Sequence, residues 1–369
     1  MVGGQAECDT DNAGCFSIPL TVSFLCDGSV GVPNCPQYFD PDRTDTTGQT
    51  FYGINNGYTP RRCVKSTNGG SVWSACTTNP FASIATGPVY FTVTPSGVLL
   101  AAGRTAANFC EIKRSNDQGA TWTLVFSSVA GAVACNNTAS NTPGGSLLKC
   151  IPSGTYCVLL AANIFTTGTW TPITSTDSGA TWTTETGLVT NSTDAVLRSL
   201  VLNDFTGLAL GLMTTTTRSL LGLEAWSVST AWSTLPVSEF CTGIIRGSLS
   251  AICSPDAANE GVYTLRDSEG GLQSSFTMTN APGSASSPLV TAVSISSTVG
   301  YVLGREVPGT TRYNIWVTTN TFGDTALLTS ITPTTYFTSC CVGDMLFYNG
   351  SIYMTSGGIG SGAQFIKIS

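Results

Sequence analysis

Ser115-Asn116-Asp117-Gln118-Gly119-Ala120-Thr121-Trp122 and Ser175-Thr176-Asp177-Ser178-Gly179-Ala180-Thr181-Trp182 are two copies of one pattern, S-x-D-x-G-x-T-W. Ser66-Thr67-Asn68-Gly69-Gly70-Ser71-Val72-Trp73 is a near copy with Asn in the Asp place. Each residue type has a task in a turn. The side-chain oxygen at the third position accepts hydrogen bonds from backbone N–H groups of its own turn, Gly at the fifth supplies a positive φ, and Trp packs back onto the sheet. Ser66, Asn68, Gly70 and Trp73, and their counterparts in the other two copies, are therefore expected to be structural.

The pattern resembles the Asp box, or BNR repeat, of sialidase-like β-propellers. Around it each unit reads alike: a hairpin such as VYFTVTPSGVLLAAG (89–103), a third strand such as FCEIKRS (109–115), the box, and a fourth strand such as WTLVF (122–126). Weaker copies follow at Trp226–Trp232, Arg266–Gly271 and Thr318–Asp324. Trp73, Trp122, Trp182 and Trp232 are spaced by 49, 60 and 50 residues, the size of one four-stranded blade. The expected fold is thus all-β, a single propeller of four-stranded antiparallel blades spanning residues 1–369. The hairpin MLFYNGSIYMTSGG (345–358), with its Asn349-Gly350 turn, and the strand AQFIKIS (363–369) need a fourth strand from the N-terminal side to complete a blade. That closure favours seven blades; six, as in sialidases, is the alternative. Residues 1–50 form a Cys-rich segment with irregular loops, expected to pack on the propeller or close it.

Composition agrees with a β-protein whose surface is covered by hydroxyls. Charged residues make up 10% of the chain, the net charge is −7, and there is no histidine. An acidic chain with 15 Lys and Arg lacks the clustered cations that track phosphates, so nucleic acid is not an expected partner. Without histidine, Ser-His-Asp and Cys-His catalysis and His-ligated metals are excluded. Fourteen cysteines with no C-x-x-C pair point to disulfides and an oxidising compartment. Cys63 and Cys76 flank the first box, Cys150 and Cys157 the Ser153-Gly154 turn, and Cys241 and Cys253 Gly247, so each pair is predicted to bridge. Cys8, Cys15, Cys26 and Cys35 are expected to staple the N-terminal segment. Asn136, Asn191 and Asn349 begin glycosylation sequons. The opening MVGGQAECDT has neither the basic nor the apolar region of a signal peptide, so a secreted protein would carry that signal outside this numbering. The uncharged stretch 270–304 is broken by Pro282 and Pro288 and does not read as membrane-spanning.

The sialidase resemblance also implies a site. Sialidases open with a Phe/Tyr-Arg-Ile-Pro motif whose Arg helps clamp the substrate carboxylate; here Phe16-Ser17-Ile18-Pro19 stands in that place, and a hydroxyl cannot replace a charged bidentate fork. The remaining roles would fall, in order, to Asp40, Asp42 or Asp45 as acid/base, and to Glu224 or Glu239 beside the nucleophile. Arg246 with Arg305 or Arg312 would complete the clamp, and Tyr336 would be the nucleophile. Against that stand plain structural readings. Asp40, Asp42, Arg43 and Asp45 read as a solvated loop, with a calcium site as the alternative. Glu111, Lys113 and Arg114 read as the exposed face of a strand. The reading that follows is a secreted or cell-surface, non-catalytic propeller that binds glycans or extracellular proteins or assembles with its own copies, with no cofactor and no metal. A sialidase-like glycoside hydrolase with an altered active site is the alternative.

Overall fold

The computed structural model describes residues 21–27, 35–56, 61–81, 89–105, 109–128, 146–152, 154–162, 169–184 and 188–189, and, beyond residue 195, the strands, the turn at 349–350 and residue 369. Among the described residues every regular element is a β-strand, and the strands fall into seven antiparallel sheets. Sheet I is Tyr38–Pro41, Phe51–Asn55, Arg62–Ser66 and Ser74–Ala75; sheet II is Tyr90–Val93, Leu99–Arg104, Cys110–Ser115 and Thr123–Ser127. Sheet III is Leu148–Cys150, Cys157–Ala162, Thr169–Ser175 and Thr183–Thr184, with Leu188–Val189 as an extra pairing on Thr169–Ser175. Sheets IV, V and VI begin at Val196–Asn203, Phe240–Ile244 and Leu289–Ser294 and end at Thr234–Leu235, Leu272–Thr277 and Asp324–Ile331.

Sheet VII joins the two ends of the chain. Val342–Tyr348, Ser351–Ser356 and Gln364–Ile368 are followed in space by Val22–Asp27, which pairs antiparallel with Gln364–Ile368. Thr21 and Ser369 exchange backbone hydrogen bonds of 2.8 and 3.1 Å. The N-terminal strand expected to complete the last blade is therefore Val22–Asp27.

Each sheet touches the next through its first strand, from Tyr38–Pro41 to Tyr90–Val93, Leu148–Cys150 and onward, and Val342–Tyr348 of sheet VII returns to Tyr38–Pro41. This is a β-propeller of four-stranded antiparallel blades. Sheets packed on both faces need strands that are apolar on both faces. Accordingly, Phe51–Asn55 is buried along its whole length, and Leu99, Leu100, Ala101 and Ala102 are all fully buried.

Side chains are described chiefly in four consecutive blades, sheets VII, I, II and III. One apolar cluster runs from Tyr38 and Tyr52 through Phe91 and Leu100 to Leu159 and Ile173, so it crosses two inter-blade seams. A second fills the seam between sheets VII and I and is built of aromatic rings. Phe365 lies edge-on to Phe39 at 4.8 Å and to Trp73 at 5.1 Å, and Phe51 lies 4.8 Å from Tyr353. Trp73 thus packs between blades.

Buried polar groups also cross the seams. The Asn56 side chain, fully buried, donates to Val89 O at 3.1 Å and accepts from Val89 N–H at 2.8 Å. Ser146 Oγ accepts from Phe91 N–H at 3.1 Å and donates to Phe91 O at 2.9 Å. Thr355 Oγ1 donates to Gln37 O at 2.8 Å.

Disulfides join Cys63 to Cys76, Cys150 to Cys157 and Cys26 to Cys35, with Cα separations of 5.3, 4.0 and 5.8 Å. The first two are as the hairpin symmetry predicts, and the third staples the N-terminal segment. Cys110 is also disulfide-bonded. Cys241 and Cys253 stand directly opposite each other in the strand register; their side chains lie outside the described residues, as do Cys8 and Cys15. No helix among the described residues is long and apolar enough to cross a membrane.

Candidate functional site

The three S-x-D/N-x-G turns each connect the third and fourth strands of a sheet, and their hydrogen bonds repeat closely. Asp117 Oδ1 accepts from Ser115 Oγ and Thr121 N–H, both at 2.8 Å, and its Oδ2 accepts from Thr121 Oγ1 at 2.5 Å. Asp177 does the same with Ser175 and Thr181 at 2.8, 2.8 and 2.6 Å. Asn68 Oδ1 accepts from Ser66 Oγ and Val72 N–H, both at 2.9 Å. The serine hydroxyl in turn accepts the N–H of the fifth-position glycine, Gly70, Gly119 or Gly179, at 2.8–3.0 Å. The hydroxyl and N–H groups of Thr121, with Ser115, hold the Asp117 carboxyl down at about 2. Burial pushes the Asp177 carboxyl up, but the matching donors from Thr181 and Ser175 outweigh it and bring it to about 2.

The fifth-position glycine also bears on the neighbouring sheet. Gly70, Gly119 and Gly179 have φ of +90°, +83° and +78°, and each backbone meets the preceding blade: Phe365 of sheet VII, the Cys63–Cys76 disulfide of sheet I, and Leu100 of sheet II. Each turn therefore staples itself and also seats on its neighbour. Trp122 Nε1 donates to Thr78 O at 3.3 Å, while Trp182 Nε1 bonds within its own turn, to Gly179 O at 3.1 Å.

The connection between the first two strands of sheet I lies beside these turns, since Gly69 N–H donates to Gln49 O at 2.9 Å. It carries the charge cluster singled out in the sequence. Asp42 is buried rather than solvated, because Thr44 donates to its Oδ1 from N–H at 3.0 Å and from Oγ1 at 2.6 Å. Asp45 accepts from Thr47, Gln49 and Thr50, and the Thr47 hydroxyl, first among these donors, drives its carboxyl well below the usual range. Asp40 faces the next blade, accepting from Thr92 Oγ1 at 2.7 Å and Val93 N–H at 3.3 Å. Arg43 lies over the Tyr348 ring at 5.9 Å. Among the described residues no group of three metal-ligating side chains converges, the three aspartates of the alternative calcium reading included.

Asn349 stands exposed at a hairpin tip with φ +47°, followed by Gly350 at +74°, and its amide lies against Gly48 of sheet I. Glu239, Arg246, Arg312, Tyr336, Asn136 and Asn191 lie outside the described residues. For Glu224 and Arg305 the backbone is described and the side chain is not.

One reading of the sequence is corrected. Glu111 and Lys113 do share a strand face and approach to 3.7 Å, but Arg114, the next residue, points to the opposite face. There it lines a cleft of about 210 Å³ together with Asn116, Asp117, Thr121, Thr123, Val125 and Ala180, the last from the turn of sheet III. Its Nε is shielded from solvent and makes no hydrogen bond among the described residues. The run of three charges hid this, because period-two alternation places neighbours on opposite faces whatever their charge.

No family model matches the chain, and no curated protein matches it in sequence. Solved structures do match. YCF48 from Cyanidioschyzon merolae superposes with a TM-score of 0.56 at 10% identity over 93% of this chain and 97% of its own. U3-55K superposes with a TM-score of 0.56 at 10% identity over 94% and 98%, and the RRP9 WD40 repeats with 0.56 at 8% over 94% and 96%. At such identities the likeness is one of architecture, and with the sheet order above it makes this chain a β-propeller.

Proposed function

We propose that this chain is a seven-bladed propeller, secreted or displayed at a cell surface, that acts without catalysis as a binding or assembly module for glycans or extracellular proteins. The blade count is supported by the seven sheets and by the contact that returns from Val342–Tyr348 to Tyr38–Pro41. The extracellular reading is supported by the disulfides, which persist in oxidising compartments. The sialidase-type Asp-box family remains a reading of the sequence pattern, supported by the repeated turn geometry.

The observation that carries the non-catalytic reading is that all three aspartates offered as the acid/base are engaged within the protein. Asp42 is buried with its Oδ1 bonded by Thr44, Asp40 accepts from Thr92 and Val93 of the next blade, and Asp45 accepts from Thr47, Gln49 and Thr50, whereas a general acid must keep its proton and reach its substrate.

The test is hydrolysis of fluorogenic sialosides and a panel of other glycosides, run beside binding to immobilised glycans and chromatography at high concentration. The expected result is no turnover, with saturable glycan binding or self-association. Turnover that disappears in Tyr336→Phe overturns the proposal and restores the hydrolase reading.

A further inference from the structure

Two neighbouring seams of the propeller place a cation at the same position and treat it differently. In sheet I the residue before the box serine is Lys65, and its Nζ crosses to the next blade and donates to Gln118 Oε1 at 2.7 Å. Gln118 is the fourth residue of the second box, held at φ +59°. In sheet II the residue before the box serine is Arg114, and the fourth residue of the third box is Ser178, at φ +57°. The backbones correspond, but serine is shorter than glutamine and makes no hydrogen bond to the arginine among the described residues. Beside Arg114 a cleft of about 210 Å³ opens instead, walled on the sheet III side by Ala180 of the same turn.

Within it the guanidinium has no ion pair among the described residues, and its shielded Nε makes no hydrogen bond. Asp117 lines the same cleft but does not supply the missing acceptor: its carboxylate is turned to Ser115 Oγ, Thr121 N–H and Thr121 Oγ1 and makes no ion pair with Arg114. Asn116, Thr121 and Thr123 add an amide and hydroxyls around the mouth.

The geometry points to an oxyanion-binding site at the junction of sheets II and III: Arg114 takes a carboxylate, sulfate or phosphate group of a ligand in the place that Gln118 occupies for Lys65. A guanidinium presents parallel N–H donors that match two oxygens of such a group, and its charge is permanent. The site stands on this junction alone and does not depend on the non-catalytic reading above.

The test is titration of the intact protein with sodium sulfate and, separately, sodium acetate at constant ionic strength, following the arginine Nε–H signals by ¹⁵N-edited NMR. One signal, absent from Arg114→Gln, moves saturably with sulfate, acetate or both. Ser178→Gln supplies the missing amide from within the chain and weakens binding at least about tenfold, the size of one charge-assisted hydrogen bond. Asp117→Asn keeps the turn, as Asn68 does in sheet I, and removes a like charge from the mouth, so binding tightens by about threefold. No saturable movement with either anion, the same movement in Arg114→Gln, unchanged affinity in Ser178→Gln, or weaker binding in Asp117→Asn would each overturn the assignment.

Discussion

Gly119 rests on Cys76 of the neighbouring blade: a Cβ built on the glycine would stand 2.9 Å from the Cys76 Cβ and 3.1 Å from its Sγ. Its φ of +83° already disfavours any side chain. Gly119→Ala therefore combines a left-handed backbone penalty with overpacking, a loss of about 3 kcal/mol in urea unfolding. The two causes separate in a double-mutant cycle with Cys63→Ala/Cys76→Ala. Removing the sulfur atoms relieves the contacts at 3.1 and 3.3 Å but leaves the Cys76 Cβ and the backbone strain, so the glycine substitution should cost less there without becoming neutral.

The Cys63–Cys76 bridge closes a loop of sequence separation 13, and its removal is expected to cost about 3 kcal/mol by restricting the unfolded chain less. Cys241 and Cys253 face each other in register in sheet V just as Cys150 and Cys157 do in sheet III. Peptide mapping without reduction should recover a Cys241–Cys253 linked pair. Recovery of either cysteine with another partner would contradict the register argument.

Asn56 is a polar clasp wholly inside the seam between sheets I and II. Asn56→Ala leaves both the N–H and the carbonyl of Val89 without a partner in a buried place, a cost of about 3 kcal/mol. Asn56→Asp keeps the acceptor and loses the donor, so it should also destabilise. A neutral result for both, read by thermal unfolding, would show that the seam is held by packing alone.

The pH dependence follows from which groups titrate. With no histidine, the melting temperature should be nearly flat between about pH 5 and pH 8. Asp117, Asp177 and Asp45 have folded-state pKa values below their unfolded ones, so their contribution is present above about pH 4; it is lost as pH falls through about 2 for Asp117 and Asp177, and at still lower pH for Asp45. Asp117→Asn and Asp177→Asn should flatten that acid limb. Tyr52 and Tyr90 are raised by burial, so the stability they hold is full below about pH 10 and declines as pH rises further. A sloping melting temperature between pH 5 and pH 8 would contradict this account.

The sequence made the turns legible because their hydrogen bonds are local: the donors to Asp117 and Asp177 lie within four residues. The Cys63–Cys76 and Cys150–Cys157 bridges were legible for the same reason, since each spans one hairpin or turn. What could not be read was anything set by the neighbouring blade. That Gly70, Gly119 and Gly179 are needed for close approach as well as for φ depends on Phe365, Cys76 and Leu100, and for Gly70 the contact lies almost the whole chain away. Asp42 read as a solvated loop residue because the Thr44 bonds and the adjoining Gly97 that cover it carry no charge or periodic signal. Arg114 was read by its charge, while its direction was set by the strand.

Sheet VII sets an order of events for the ribosome. Gln364–Ile368 lies between Ser351–Ser356 and Val22–Asp27, which leaves the ribosome far earlier. Until Gln364–Ile368 is made, Val22–Asp27 must wait as an unmatched edge, open to pairing with other chains. Any nascent chain that stops short of residue 364 leaves the circle open, and such truncated products should betray themselves by aggregation or by capture of a second molecule's free strand.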